Sequence, residues 1–195
     1  MNLKDSQTRI NLMRSFAGES QARNRYTYAA EAAKSQSLHV IEAVFKFTAN
    51  QEKEHGKIFY NFLKEMTGEN ITIDGSYPVD IYDDVLKLLR SAQHNEFEEF
   101  EPVYPDFAAV ANQEGFTNIG AKFNQIAKIE KTHGDRFGMF ADLLEQGKLF
   151  VSDVEEEWMC LNCGYVHKSS EAPKSCPVCS HPQGYFVRLK LAPFT

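Results

Sequence analysis

The chain has 195 residues, 43% of them hydrophobic, and a formal net charge of −6, which allows one sizeable domain or a medium one beside a small one. The acidic balance argues against nucleic acid as a main partner, because phosphate binding asks for a basic surface. No apolar run is long enough to span a bilayer and the opening Met-Asn-Leu-Lys-Asp-Ser-Gln has no signal-peptide core, so neither a membrane partner nor export is expected and the location is read as cytoplasmic.

Residues 6–34 read as a first helix. Its face is Leu12, Phe16, Glu19, Arg23, Tyr26, Ala30 and Ala33, which sets the carboxylate of Glu19 on a stripe that should be apolar. Residues 38–67 read as a second helix, ended by Gly68. Within it Ile41, Phe45, Thr48, Glu52, His55, Phe59, Phe62 and Met66 step by four and three throughout, the inward seam of a helix packed in a bundle. The stretch 68–79 contains Gly, Ser and Pro, is longer than a tight turn, and is expected to cross the bundle. A third helix over 80–101 has Ile81, Val85, Leu88, Ala92, Glu96 and Glu99 on one face, ending in Glu-x-x-Glu. Pro102 and Pro105 are expected to kink or break it. A short helical piece at 106–113 leads to Gly115, and a fourth long helix covers about 117–146 before Gly147.

The fourth helix repeats the pattern of the second: Phe116, Ile119, Phe123, Ile126, Glu130, His133, Phe137, Phe140 and Leu144 share one face. Burying a lone carboxylate costs several kcal/mol even after relaxation. One inward Glu is an accident; two Glu-x-x-His pairs, a Glu-x-x-Glu and Glu19 together call for cations. The inward donors Glu19, Glu52, His55, Glu96, Glu99, Glu130 and His133 suit two divalent ions, with one carboxylate able to bridge them. Carboxylate and His ligation with open positions suits redox iron or manganese better than structural zinc, and the set matches the known one of ferritin-like di-iron bundles. The competing reading is of solvated faces with chance spacing. Glu54, Glu98, Glu101, Glu114 and His94 lie off the apolar faces and are read as exposed, and His39 is given no role. Tyr26 and Tyr104 are either core aromatics or hydroxyl donors to a bound oxygen species. Arg23 either pairs with a ligand carboxylate or reaches the bundle end.

Residues 148–157 read as a linker ending in Glu155-Glu156-Glu157. Helical periodicity then stops, and a piece this small needs a staple. Trp158-Met-Cys160-Leu-Asn-Cys163-Gly164 and Ser175-Cys176-Pro177-Val-Cys179, with twelve residues between Cys163 and Cys176, supply four thiolates. In a chain without an export signal this reads as metal ligation and not as disulfides. Zinc and a single iron satisfy the spacing equally; beside a redox pair, a one-electron iron is the better fit. His167 and His181 are read as surface residues, since four Cys already close the site.

With these motifs the chain resembles the rubrerythrins over essentially its whole length. The domain order is similar: a ferritin-like four-helix bundle (1–147), the linker 148–157, and a small rubredoxin-like β domain (158–195), mainly α overall. The resemblance implies Glu19, Glu52, His55, Glu96, Glu99, Glu130 and His133 as di-iron ligands, with Tyr26 beside them, and Cys160, Cys163, Cys176 and Cys179 around a single iron. It also implies that one iron exchanges a Glu for a His on reduction, which by motif position would be Glu99 and His55. One departure is Pro102-Val-Tyr104-Pro105, where the family has Met-Tyr-Pro. The implied activity is reduction of hydrogen peroxide to water in oxidative-stress defence, with the Cys-bound iron refilling the pair and electrons coming ultimately from NAD(P)H. The sequence contains no Gly-x-Gly and hence no dinucleotide phosphate loop, so a separate reductase or free rubredoxin is expected to deliver them. Alternatives are a ferroxidase or oxygen-reducing protein, iron storage, or a zinc-ribbon interaction protein. From His133 to Gly147 is roughly 20 Å of helix at ~1.5 Å per residue. The small domain therefore starts far from its own di-iron site, and a head-to-tail homodimer or larger homo-oligomer is expected.

Overall fold

The computed structural model describes residues 2–193. Helices α1 (Gln7–Ser35) and α2 (His39–Phe62) form an antiparallel pair, reversed through Ser37 in the left-handed region (φ 60). The first turn of α1 is capped twice. Ser6 accepts from the Arg9 N–H, and Glu114, from the far side of the fold, accepts from the N–H groups of Gln7 and Thr8 at 2.8 Å each. A carboxylate at the positive end of a helix satisfies otherwise unpaired donors; Glu114, expected at the surface, is half-buried in this cap.

Residues 67–84 then run back along α1. Arg14 pairs with Asp74, Arg25 with Asp80 at 2.8 Å, and the Gln36 amide donates to the Asp83 carbonyl at 2.6 Å. Arg14, Arg25 and the α1 C-cap Gln36 are eleven apart, about three helical turns, so they share one face. The crossover therefore lies as a strap along the length of α1. Helix α3 (Val85–Glu98) begins where Asp84 accepts from the N–H groups of Leu86 and Lys87. Ile81 was expected on its buried face but is 87% exposed: the helix starts after it, because the strap residues are already tied to α1.

The two prolines do not end the third helix. A π-turn over Glu99–Val103 joins α3 to α4 (Tyr104–Gln113), with the Tyr104 N–H donating to the Glu99 carbonyl. Pro102 has no N–H to give, and the wider turn absorbs that loss. Helix α5 (Thr117–Glu145) packs back against α3 and α4 and closes the bundle. On α1 the buried stripe is Leu12, Ser15, Glu19, Ala22, Tyr26, Ala29 and Ala33, while Arg23 is exposed and Phe16 half-buried. Small residues face inward there because α2 comes close: a Cβ on Gly56 would lie 3.3 Å from that of Glu19. Two apolar clusters fill the bundle, one around Phe45, Leu89 and Phe137, the other around Leu12, Phe59 and Phe123.

The C-terminal unit is a three-stranded antiparallel sheet in the order β2 (Val166–Glu171), β1 (Val151–Cys160), β3 (Phe186–Arg188). Strand β1 begins inside the stretch expected to be a linker, with an irregularity between Val151 and Glu156. The sheet sits on the α1–α2 corner of its own bundle. Tyr185 stacks on His39 with ring centroids 4.0 Å apart. Gly184 lies so close to the Ser37 carbonyl that a Cβ would come within 1.8 Å of the oxygen. The Arg188 guanidinium donates to the carbonyls of Lys148 and Val151. His39 thus belongs to the joint between the two units. Among the described residues no helix is long and apolar enough to cross a membrane.

Candidate metal centres

Each bundle helix turns a carboxylate inward: Glu19 from α1, Glu52 from α2, Glu96 from α3 and Glu130 from α5. All four are buried. One helical turn beyond Glu52 and Glu130 come His55 and His133. Their donor atoms form two groups, Glu19, Glu52, His55 and Glu130 in one and Glu52, Glu96, Glu130 and His133 in the other, each within 4.8 Å. Glu52 and Glu130 belong to both, and each divides its oxygens. His55 Nδ1 lies 3.1 Å from Glu52 Oε2 and 3.0 Å from Glu130 Oε1. His133 Nδ1 lies 2.9 Å from Glu52 Oε1 and 2.9 Å from Glu130 Oε2. Neighbouring ligands about 2.1 Å from one ion stand about 3 Å apart. Two cations would fit these spacings, with Glu52 and Glu130 each able to serve both.

The polar bookkeeping agrees. Glu19 Oε2, Glu52 Oε1, Glu96 Oε2, both oxygens of Glu130 and His133 Nδ1 are buried together, with only two imidazoles to offset four carboxylates, an arrangement native interiors rarely tolerate. The remaining atoms are oriented from outside. Tyr104 donates its hydroxyl to Glu19 and Tyr26 to Glu96. His133 Nε2 meets Gln51 Oε1 at 3.0 Å, which leaves Nδ1 bare toward the carboxylates. Arg136 in turn donates to Gln51 and Thr48.

Titration follows from this crowding. Burial, then the charge of Glu130, pushes Glu19 well above the usual carboxylate range. Burial and the Glu52 charge raise Glu96 to about 8. Burial also acts upward on Glu52, but hydrogen bonds from His133 and His55 outweigh it and bring it to about 2. Burial pulls both imidazoles down, yet hydrogen bonds to Glu130 and Glu52 prevail, lifting His55 to about 9 and His133 to about 12. Without metal, protons supply the positive charge that two cations would supply.

Glu99 belongs to neither group. It is half-buried on the wall of a cavity of about 810 Å³, next to Tyr104, with Gly18 of α1 and Tyr77 of the strap also lining it. Burial, then the charge of Glu96, holds its carboxyl well above the usual range. Of the residues that sequence alone did not mark, Gln51 and Arg136 left no signal, since they sit on the polar side of their helices. Tyr77 could be found only by knowing where the strap runs.

In the small unit the sulfurs of Cys160, Cys163, Cys176 and Cys179 lie within 4.8 Å of one another. Cys160 and Cys179 are 3.8 Å apart, Cys163 and Cys176 3.6 Å. The edge of a tetrahedron with ~2.3 Å metal–sulfur bonds is about 3.8 Å, whereas a disulfide would need ~2.05 Å. Two equivalent turns build it. Gly164 donates to the Cys160 carbonyl and Ser180 to that of Cys176; Cys160 donates to the Tyr165 carbonyl and Cys176 to that of His181. Gly164 (φ 77) and Ser180 (φ 60) take the same left-handed conformation after the second Cys of each knuckle. The His181 N–H, more than any other group, draws the Cys179 thiol down to about 6.

Comparison with known proteins covers both units. A family model described as rubrerythrin matches residues 11–141, and one described as the rubrerythrin rubredoxin-like domain matches 158–187. The rubrerythrin of Clostridium perfringens is 46% identical over 190 residues, 97% of each chain. That of Porphyromonas gingivalis is 45% identical, over 97% of this chain and 93% of its own. A solved mixed-valence nigerythrin superposes with a TM-score of 0.62 at 28% identity, covering 94% of this chain and 90% of that one. A bacterioferritin of Desulfovibrio desulfuricans, at 21% identity and a TM-score of 0.66 over 76% of this chain and 86% of its own, shares the bundle fold. A bundle with a paired carboxylate and histidine centre, followed by a four-Cys knuckle and matched along nearly its whole length, places the chain in the rubrerythrin family of iron-binding oxidoreductases.

Proposed function

We propose that this protein is a peroxidase that reduces hydrogen peroxide to water. In this reading Glu19, Glu52, His55, Glu96, Glu99, Glu130 and His133 serve a pair of irons, and the four Cys hold a third iron that relays electrons to them. The observation that carries it is the cluster of four buried carboxylates and two imidazoles, with Glu99 and Tyr104 beside it on the wall of an open cavity. Two irons held there supply two electrons and Lewis acidity at one place, the number an O–O bond needs to part.

The chain's own groups then account for binding and protons. Peroxide entering the cavity meets Glu99 on its wall, a carboxyl placed to pass a proton to it. Tyr104, held well above its ordinary range by burial and the charge of Glu19, remains a donor to that carboxylate throughout. Tyr26 does the same for Glu96. Overall, peroxide, two electrons and two protons give two waters. His55 inside the carboxylate group with Glu99 standing aside supports the reading that these two alternate as ligands.

The small unit docks at the start of α2, and from His39 to Glu52 is about 20 Å of helix. We therefore propose that electrons cross to the bundle of a second chain in a head-to-tail homo-oligomer, with an external rubredoxin or NAD(P)H-dependent reductase feeding the Cys-bound iron. A thiolate knuckle also fits a reducing, cytoplasmic setting. Stopped-flow mixing of the fully reduced, iron-loaded protein tests the reaction. Oxidation by hydrogen peroxide is expected to outrun oxidation by oxygen at least tenfold; faster oxidation by oxygen would overturn the peroxidase assignment.

A further inference from the structure

The cavity beside Glu99 is far larger than hydrogen peroxide requires. Its volume is about 810 Å³, whereas a water-sized molecule takes up about 30 Å³. Cavities of roughly 300–1,000 Å³ with mostly apolar walls and a few placed polar groups are the sites of organic ligands. This one has that volume and a mixed wall, with Arg14, Arg25, Asp74, Asn95 and Glu98 beside an apolar side. Pro78 of the strap, Val103 of the π-turn and Phe107 of α4 line it, and Tyr77 forms a roof whose hydroxyl donates to the Arg14 carbonyl at 3.1 Å.

Two details mark the inner half as space for a ligand. Residue 18 is glycine, and a Cβ there would meet only Tyr77 at 3.8 Å and Glu99 at 3.9 Å, both ordinary contact distances. The gap between roof and metal centre is therefore open because α1 carries no side chain at that point. One turn earlier on the same helix, Ser15 is 3% exposed and its hydroxyl has no hydrogen-bond partner. A helical serine ordinarily turns back to the carbonyl four residues before it. Ser15 does not, and it lines the same cavity.

We propose that the centre also accepts organic hydroperoxides, R–O–OH with an apolar alkyl or aryl group up to about the size of cumyl. The R group packs against Tyr77, Pro78, Val103 and Phe107, the O–OH end faces Glu99 and Tyr104, and Ser15 donates to an oxygen. This rests on the peroxidase reading above and widens its substrate class. The O–O bond breaks and two O–H bonds form, so that R–O–OH, two electrons and two protons give R–OH and water. The electrons are those of the reduced metal pair, replenished by the external reductase, and the protons come from solvent.

The test uses the full iron-loaded chain with cumene hydroperoxide and hydrogen peroxide, and a zinc-loaded sample titrated with the product alcohol, 2-phenyl-2-propanol, by NMR. Expected are conversion of cumene hydroperoxide to that alcohol and saturable shifts of the Gly18 and Tyr77 amides. Gly18→Leu should lower the kcat/KM ratio of cumene hydroperoxide to hydrogen peroxide at least tenfold and abolish the shifts. Pro78→Trp, which narrows the cavity from the strap, should lower the same ratio even if Gly18→Leu does not fold. Reduction of hydrogen peroxide alone, with no alcohol binding, overturns this inference and spares the peroxidase reading. Failure of both peroxides to react overturns the two together, and an unchanged ratio in both variants shows that the cavity is not the site.

Discussion

The two metal centres of this chain are assembled on opposite plans. The knuckle takes its four ligands from residues 160–179, and each half is shaped by backbone hydrogen bonds within itself. The bundle centre draws on residues from Glu19 to His133, on four helices, and exists only once those helices have packed. The difference lies in what holds the ligands in place. A knuckle can form before anything around it, whereas the bundle must fold around a knot of charge that protons or cations have to neutralise.

That contrast can be broken most sharply by removing one ligand from each centre. Glu52→Ala deletes an oxygen from both cation positions and is expected to lose both bundle irons while the Cys-bound iron stays. Cys160→Ser should do the reverse, ending reductase-driven turnover but leaving a dithionite-reduced bundle able to react once with peroxide. Iron analysis with visible absorption of the thiolate site reads both; loss of all iron in either variant would show that the centres are coupled.

Next in size is Tyr104→Phe. It keeps the ring among Phe59 and Phe123 but removes the donor to Glu19, so peroxide turnover should fall about 10²-fold, as for loss of a placed proton donor, with iron content unchanged. Gly184→Ala attacks the joint between the two plans. The added carbon cannot fit against the Ser37 carbonyl, and a cost of about 1–3 kcal/mol is expected from such overpacking, read as a lower Tm and weaker protection of the α1–α2 corner in hydrogen exchange.

The gentlest probe is pH. In the metal-free protein His55 is raised from 6.5 to about 9 and Glu96 from 4.5 to about 8, so the folded state binds more protons than the unfolded one. Raised groups stabilise below their unfolded values and cease to as pH climbs through the folded ones. The metal-free protein should therefore lose stability between about pH 4.5, where Glu96 begins to contribute, and about pH 9, where His55 ceases to, by at most about 1.4 kcal/mol per unit for each proton. With iron in place those protons are already displaced, and the Tm should be flat over the same interval.

Legibility followed the same division. The Cys spacing is a local signal and could be read directly. The inward Glu and His were legible because a three-and-four spacing survives whatever the helix packs against. What depended on neighbours was lost. The buried stripe on α1 runs through Ser15 and Ala22, one residue before Phe16 and Arg23, because Ser15 is covered where the strap and the π-turn enclose the cavity, while Phe16 lies half-buried against Tyr60 of α2. Ile81 was assigned to a helix that Asp84 does not let begin so early. For Pro102 a kink and a break stayed equally open, since sequence cannot tell a stop from a wide turn that accommodates a missing N–H. The strap, with Tyr77 roofing the cavity, was anticipated as a crossing but not as a wall.

The fit of Gly184 against Ser37, with Tyr185 lying flat on His39 and Arg188 fastened to Lys148 and Val151, makes the thiolate unit a fixture and not a pendulum. Carriers on loose tethers visit donor and acceptor in turn, so their traffic is independent of how many molecules share the solution. A fixture has no such freedom. On the head-to-tail arrangement proposed above, the carboxylate centre it serves would belong to another molecule coming alongside, and throughput per chain is then expected to decline on dilution.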